Sequence, residues 1–129
     1  MFSPVLKILE HTYTRDELER MHIDDLDRMA YGHATGDTVK LHPNNIKIKY
    51  HDDLENPKDK FAKGGIKWVK SVDQSEPVKV SIDQQGKFNL EDGHHRWFAA
   101  KKLNQHLNAN IEKVTGKPIE TILQRQGKT

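Results

Sequence analysis

The stretch that most constrains this chain is Leu90-Glu91-Asp92-Gly93-His94-His95-Arg96-Trp97-Phe98-Ala99-Ala100-Lys101-Lys102-Leu103. An apolar-alternating run, Pro77-Val78-Lys79-Val80-Ser81-Ile82-Asp83, leads to a turn at Gln84-Gln85-Gly86-Lys87 and a second run, Phe88-Asn89-Leu90. That pattern predicts a hairpin. Two polar residues and a glycine follow, and then a helical pattern with Trp97, Ala100 and Leu103 on one face. A strand passing through glycine into a helix presents unbonded N–H groups and the positive dipole end to an anion. Gly93 permits the sharp turn and a close ligand approach. Arg96 brings a fixed charge and a fork that matches phosphate oxygens, and it is electrostatically misplaced in a first turn unless an anion joins it. His94 and His95 can donate to phosphate or carry a proton near neutral pH. Asp92 can hold a metal, orient a histidine or take a substrate proton. The plainer alternative is that Asp92 only caps the helix while one histidine packs inward.

Size and composition narrow the classes. A chain of 129 residues, 34% hydrophobic and 31% charged, fits one small domain, and a mean hydropathy of -0.87 implies a thin core. Net charge of +2 and a pI near 8.8 permit nucleotide or nucleic-acid binding without demanding it. There is no cysteine, which removes disulfides, thiolate metal sites and a cysteine nucleophile. No stretch approaches the roughly 20 apolar residues of a membrane span, so a cytoplasmic protein is expected.

Along the chain, Val5–Tyr13 is an apolar start of undecided type. Thr14-Arg15-Asp16-Glu17 reads as a capping box, and Leu18, Met21, His22, Leu26, Met29 and Ala30 form one helical stripe. One helix is predicted from Arg15 to Tyr31, stopped by Gly32 and Gly36. His11, His22 and His33 would share its face but lie roughly 16 Å apart, too far to share a metal. Val39–Tyr50 alternates around Pro43-Asn44-Asn45 and predicts strand segments. The acidic run His51-Asp52-Asp53-Leu54-Glu55 follows at a strand end, where a Mg²⁺ ligand (Asp52, Asp53) or a general base (Asp52, Glu55) could lie, or only a solvated loop. Asn56–Lys60 is expected to be a turn or loop, and Phe61–Val72 a short helix. Gln105–Asn110 is expected to end or extend the central helix. Ile111–Val114 and Ile119–Leu123 are too short for periodicity to type, and the tail from Gln126 is expected to fray. The expected organisation is an N-terminal helical extension over 1–36, an α/β domain over 37–125 and a tail over 126–129. No Walker-type Gly-Lys-Ser/Thr loop occurs, and adjacent histidines lack the spacing of a zinc pair.

The segment from Val78 to Leu103, with its Asp92-Gly93-His94-His95-Arg96 core and following Ala99-Ala100-Lys101-Lys102-Leu103, resembles the ParB/sulfiredoxin superfamily. Ile66, Ser71-Val72 and Glu76-Pro77-Val78 are similar to that family's helix, connector and strand ahead of the motif. The N-terminal helix has no counterpart there. The resemblance implies a compact α/β (α+β) fold, a small mixed sheet with helices, and a loop at a strand-to-helix junction that binds nucleotide phosphates. Gly93, His94, His95, Arg96 and Lys101 are the binding residues it implies. Sulfiredoxins carry a catalytic cysteine where this chain has His94, so redox repair is not expected. Partition proteins carry an arginine-rich motif and a helix-turn-helix domain after it, and only the 26 residues from Asn104 to Thr129 follow Leu103. The Asp-Gly-His-His-Arg form is closest to the free-serine-kinase branch, whose members also use an upstream carboxylate as base.

The sequence therefore leads to a nucleotide-binding domain that breaks or transfers a phosphoanhydride-linked phosphoryl group. The nucleoside tri- or diphosphate would be ATP, ADP or CTP, carried with Mg²⁺, with Asp92 or His94 near the reacting group. A ParB-like nuclease or DNA-binding accessory protein of plasmid or phage origin is the second reading, with Lys47, Lys49, Lys58, Lys60, Lys63, Lys67 and Lys70 as a basic rim. A non-catalytic interaction module is the third. The partners expected are a nucleotide with a small-molecule acceptor or DNA, and no membrane.

Overall fold

The fold is built on a five-stranded mixed sheet, seen in a computed structural model that describes residues 11–127. The strands are β1 (Thr38–Leu41), β2 (Ile46–Ile48), β3 (Val78–Ile82), β4 (Phe88–Asp92) and β5 (Leu107–Val114), in the spatial order β1-β5-β3-β4-β2. β1 pairs antiparallel with β5 and β3 antiparallel with β4, while β5 with β3 and β4 with β2 are parallel. The helices are α1 (Arg15–Glu19), α2 (Ile23–Tyr31), α3 (Glu55–Ser71), α4 (His94–Leu103) and α5 (Pro118–Gln126). This is the mixed α/β class expected from the sequence. Of the Val5–Tyr13 run, residues 5–10 lie outside the described residues.

The sheet buries one face. Val78, Val80, Ile82, Leu90, Leu107, Ala109 and Ile111 form a core with Trp97, Phe98 and Ala100 of α4. Trp97, Phe98, Ala99 and Ala100 are consecutive and all buried, so α4 is covered nearly all round rather than along one stripe. The Trp97 indole Nε1 donates to the Pro43 carbonyl, and Phe98 meets Phe61 and Trp68 of α3. The start of α4 is thereby fixed against sheet, α3 and the 3₁₀ turn Pro43–Asn45.

Several local expectations are corrected. The single helix from Arg15 to Tyr31 is two, α1 and α2. His22 breaks it, adopting extended backbone and accepting the Asp24 N–H on Nδ1, with Asp24 and Asp25 favouring a new N-terminus behind it. The Thr14 capping box is present, and Gly32 ends α2 at φ 82°. Asn56–Lys60 is helix, not loop: a 3₁₀ turn over His51–Leu54 runs directly into α3, whose first turn accommodates Pro57. The glycines do mark a break, because Gly65 at φ 62°, ψ -150° kinks α3. Beyond Asn104 the chain does not extend α4. Leu107, Ala109 and Ile111 alternate with more exposed residues, which is the period of a strand, and they open β5. Gln126 is not frayed, since its amide exchanges two hydrogen bonds with the Tyr13 backbone.

A second apolar cluster joins Leu18, Leu26 and Ala30 to Ile122 of α5, with Tyr31 touching both clusters. The N-terminal helices thus pack on the C-terminal one. Asp27 is 3% exposed, and its Oδ1 is buried without a hydrogen-bond partner. Burial, and secondarily Asp24, raises its pKa. A carboxyl whose folded pKa is raised favours folding while protonated, and that contribution is lost as pH rises through the raised value. Asp27→Asn is expected to raise the unfolding free energy by about 1 kcal/mol at pH 7. The gain should shrink toward pH 3, when urea unfolding is followed across that range. A gain of constant size would contradict this account.

Candidate functional site

Gly93 sets the geometry of the strand-to-helix junction. It stands at φ 100°, ψ 34° as the N-cap of α4 and supplies no side-chain cap. An added Cβ would lie 2.7 Å from Val78 Cγ1 and 3.1 Å from Arg96 Nη2, so only glycine fits between strand β3 and the guanidinium. The Trp97 N–H bonds back to the Gly93 carbonyl as the first helical bond. That leaves the N–H groups of His94, His95 and Arg96 as the open donors of the helix start. The plainer reading of Asp92 as the cap does not hold. The β3–β4 register slips between Lys79 and Val80, and Asp92 is the exposed last residue of β4. The N-cap of α4 is Gly93, not Asp92, and the helix start has no side-chain cap hydrogen bond from its N-cap residue.

Arg96 is turned back toward the connector. Its Nη1 donates to the carbonyls of Glu76 and Pro77 at 2.9 and 3.1 Å and lies 3.6 Å from the Glu76 carboxylate. The cation at the helix start thus has protein oxygens as partners, and its position alone does not call for a phosphate. Gln74 adds a second tie, donating from Nε2 to the Arg96 carbonyl.

The two histidines meet different groups. His94 Nε2 lies 3.5 Å from Asp53 Oδ2, with the histidine side chain 17% and the aspartate 46% exposed. His95 Nε2 lies 2.9 Å from Asn56 Oδ1, and its ring meets Trp68 edge-on at 6.2 Å. Burial, then Lys60, then His94, lower the pKa of His95. The acidic run is therefore brought to the motif, but through Asp53. Asp52 and Glu55 are exposed. Lys101 is not at the junction: it lies two turns along α4, roughly 10 Å from its start, with Nζ 5.1 Å over the Trp97 ring. Lys47 and Lys49 belong to the β2 region and the other five lysines to α3, where Lys63 pairs with Asp59. Lys49 pairs with Glu91.

Sequence reasoning missed Asn56, which its proline neighbour places in a loop, and Glu91. Glu91 accepts from Ser81 Oγ at 2.6 Å and from Lys49, with Lys113 at 4.0 Å. The alternation around Ser81 was the available signal. His11, His22 and His33 are dispersed: His11 meets Tyr13, His22 caps α2 and His33 meets Phe88. Among the described residues no group of three or more His, Asp or Glu is arranged to hold a metal ion. No helix among them is long and apolar enough to cross a membrane. A groove of about 430 Å³ lies elsewhere, between α2, α5 and the β3–β4 turn, lined by Arg28, Tyr31, Gly86 and Arg125 among others.

No protein-family model matches the chain, and no curated protein matches it in sequence. Among solved structures it is similar to sulfiredoxin from Arabidopsis thaliana, at 20% identity and a TM-score of 0.48, over 67% of this chain and 97% of that one. It is also similar to the C-terminally truncated chromosome-partitioning protein ParB from Caulobacter crescentus, complexed with CTP-gamma-S, at 17% identity and a TM-score of 0.36, over 70% of this chain and 50% of that one.

Gly93→Ala is expected to destabilise the protein by about 2 kcal/mol or more through the left-handed backbone and the Val78 overlap. Arg96→Lys, which keeps charge but loses the fork, should cost about 1 kcal/mol. Urea unfolding checks both; an unperturbed Gly93→Ala protein would contradict the junction geometry.

Proposed function

We propose that the start of α4 seats the phosphates of a nucleoside di- or triphosphate, and that the protein transfers or hydrolyses the terminal phosphoryl group. One observation carries this reading: a helix start left uncapped behind Gly93, onto which the fold brings two histidines, one of them beside Asp53. The open N–H groups of His94, His95 and Arg96 would hold phosphate oxygens, with the helix dipole and the Arg96 charge behind them. His94 would donate to the phosphate nearest Asp53. Phosphoryl transfer depends chiefly on positioning and charge neutralisation, so a small site with one good anion seat suffices.

ATP, ADP and CTP are the nucleotides to try. Mg²⁺ fits this site as an ion carried in on the phosphates and met by one or two carboxylates, Asp53 and Asp52 being available, rather than caged by protein ligands. The ion would supply neutralisation of phosphate charge. Asp92 and Glu55 are both exposed, and either would take part only by reaching the seat from solvent. The form of the motif, closest to the free-serine-kinase branch, supports a small alcohol as acceptor, with water the alternative.

Thermal-shift titration with Mg²⁺ and ATP, ADP, CTP or GTP is the first test. The melting temperature should climb with ligand concentration over affinity for at least one of them. In calorimetry His94→Ala should weaken that nucleotide about tenfold, as the loss of one charge-assisted hydrogen bond does. Asp53→Asn should reduce turnover by about 100-fold while leaving the fold intact. No stabilisation by any nucleotide would sink the proposal.

A further inference from the structure

The 3₁₀ turn Pro43–Asn45 and the turn between β3 and β4 flank a groove of about 370 Å³, a size that small-molecule sites share. It lies at the far end of β4 from the α4 start. Phe88 opens that strand and Asp92 closes it, about 13 Å apart at the rise of an extended chain. The apolar part of the lining is Leu41 and Phe88, both packed against the main core yet only half-buried. The polar part is Asn44, Asn45, Lys47 and Lys87, all exposed. Among the described residues no Asp or Glu lines the groove. Neither lysine forms an ion pair there, and neither asparagine carboxamide is used in a hydrogen bond. Asp83, a carboxylate that the Lys47 charge helps keep ionised, is already held by the N–H groups of Gln85 and Lys87 and by Asn89 Nδ2. Lys49 and Lys63, by contrast, pair with carboxylates, and Lys101 and Lys102 lie over aromatic rings.

We propose that this groove binds an amphipathic organic carboxylate, its ring or short aliphatic chain against Leu41 and Phe88 and its charge met by Lys47, Lys87 and the asparagine amides. A lysine ammonium is a point charge on a flexible four-carbon stem, so it needs no fixed aim to meet an anion. At an exposed site that attraction is screened by salt and is weak alone. The apolar contact adds to it in proportion to the area removed from water. A carboxylate carries one charge and a phosphate ester nearly two, so the carboxylate loses less hydration over an apolar floor. Pyrophosphate has no apolar body and gains nothing from Leu41 and Phe88. A free acid and a peptide C-terminus share the chemistry named. The site is separate from the α4 start and does not depend on the phosphoryl-transfer reading.

A ¹H–¹⁵N titration of the full chain at about 150 mM salt tests this with hexanoate and phenylacetate, and with N-acetylphenylalanine for the chain terminus. The amides of Asn44, Asn45, Lys87 and Phe88 are expected to shift together and saturate with a Kd of about 1 mM or tighter. Acetate keeps the charge without the body, and hexanamide, phenylacetamide and N-acetylphenylalaninamide keep the body without the charge; all four should leave those amides still. Lys47→Gln with Lys87→Gln, both at exposed positions, should weaken binding about tenfold. Saturation by N-acetylphenylalanine alone assigns a peptide terminus, and saturation by hexanoate or phenylacetate assigns a free acid; either supports the site. No saturable shift at those amides with any of these acids would overturn the proposal. So would equal shifts with acetate or the neutral amides, or an unchanged affinity in the double variant.

Discussion

The close approach at Gly93 is the contact on which the rest of this structure depends. Its Cα lies so near Val78 and the Arg96 guanidinium that a methyl group has no room. Val78 opens the central strand β3 and belongs to the core, and Arg96 grips the carbonyls of the connector that delivers that strand. One glycine therefore joins three things: the end of β4, the start of α4 and the entry to β3. A left-handed residue there turns the chain without a capping side chain, which leaves the helix start bare.

What surrounds that bare end follows from packing. α4 is held on its apolar length by the sheet, by the Pro43 turn through Trp97, and by Phe61 and Trp68 of α3. Because α3 begins directly from the 3₁₀ turn over His51–Leu54, fixing α3 on α4 also fixes Asp53 beside His94 and Asn56 beside His95. The acidic run far upstream in sequence thus becomes part of the junction through aromatic contacts farther along α3. The N- and C-terminal helices form a separate cluster joined to this body at Tyr31, whose hydroxyl meets Thr121 and packs so close to Gly116 that a side chain there would collide.

Much of this was legible in the sequence. The β3–β4 hairpin, Gly93 and the α4 start were readable because alternation, a turn glycine and helical spacing all agree there. The Pro43-Asn44-Asn45 interruption between strands was readable for the same reason. Local signals misled where two principles compete. Asn56-Pro57 looks like a loop because proline disrupts helix interiors, yet the first turn tolerates it, and that misreading hid Asn56. Arg15–Tyr31 carries one apolar stripe, and only the cap at His22 divides it. Arg96 read as a phosphate fork because its charge opposes the helix dipole; its partners are carbonyls of residues about twenty positions earlier, which no local pattern encodes. Asp53 could be named only as one of several carboxylates, because its place beside His94 comes from the packing of α3 and not from any local pattern.

The central claim is that the first turn of α4 is an anion seat. The most direct measurement is a ¹H–¹⁵N titration of backbone amides with Mg²⁺-free pyrophosphate and then with Mg²⁺ and nucleotide. The account predicts that the amides of His94, His95 and Arg96 shift first and furthest, saturating together, and that Gly93→Ala abolishes the effect while distant amides such as those of α5 stay still. Saturable shifts centred elsewhere, or none at these three amides, would contradict it.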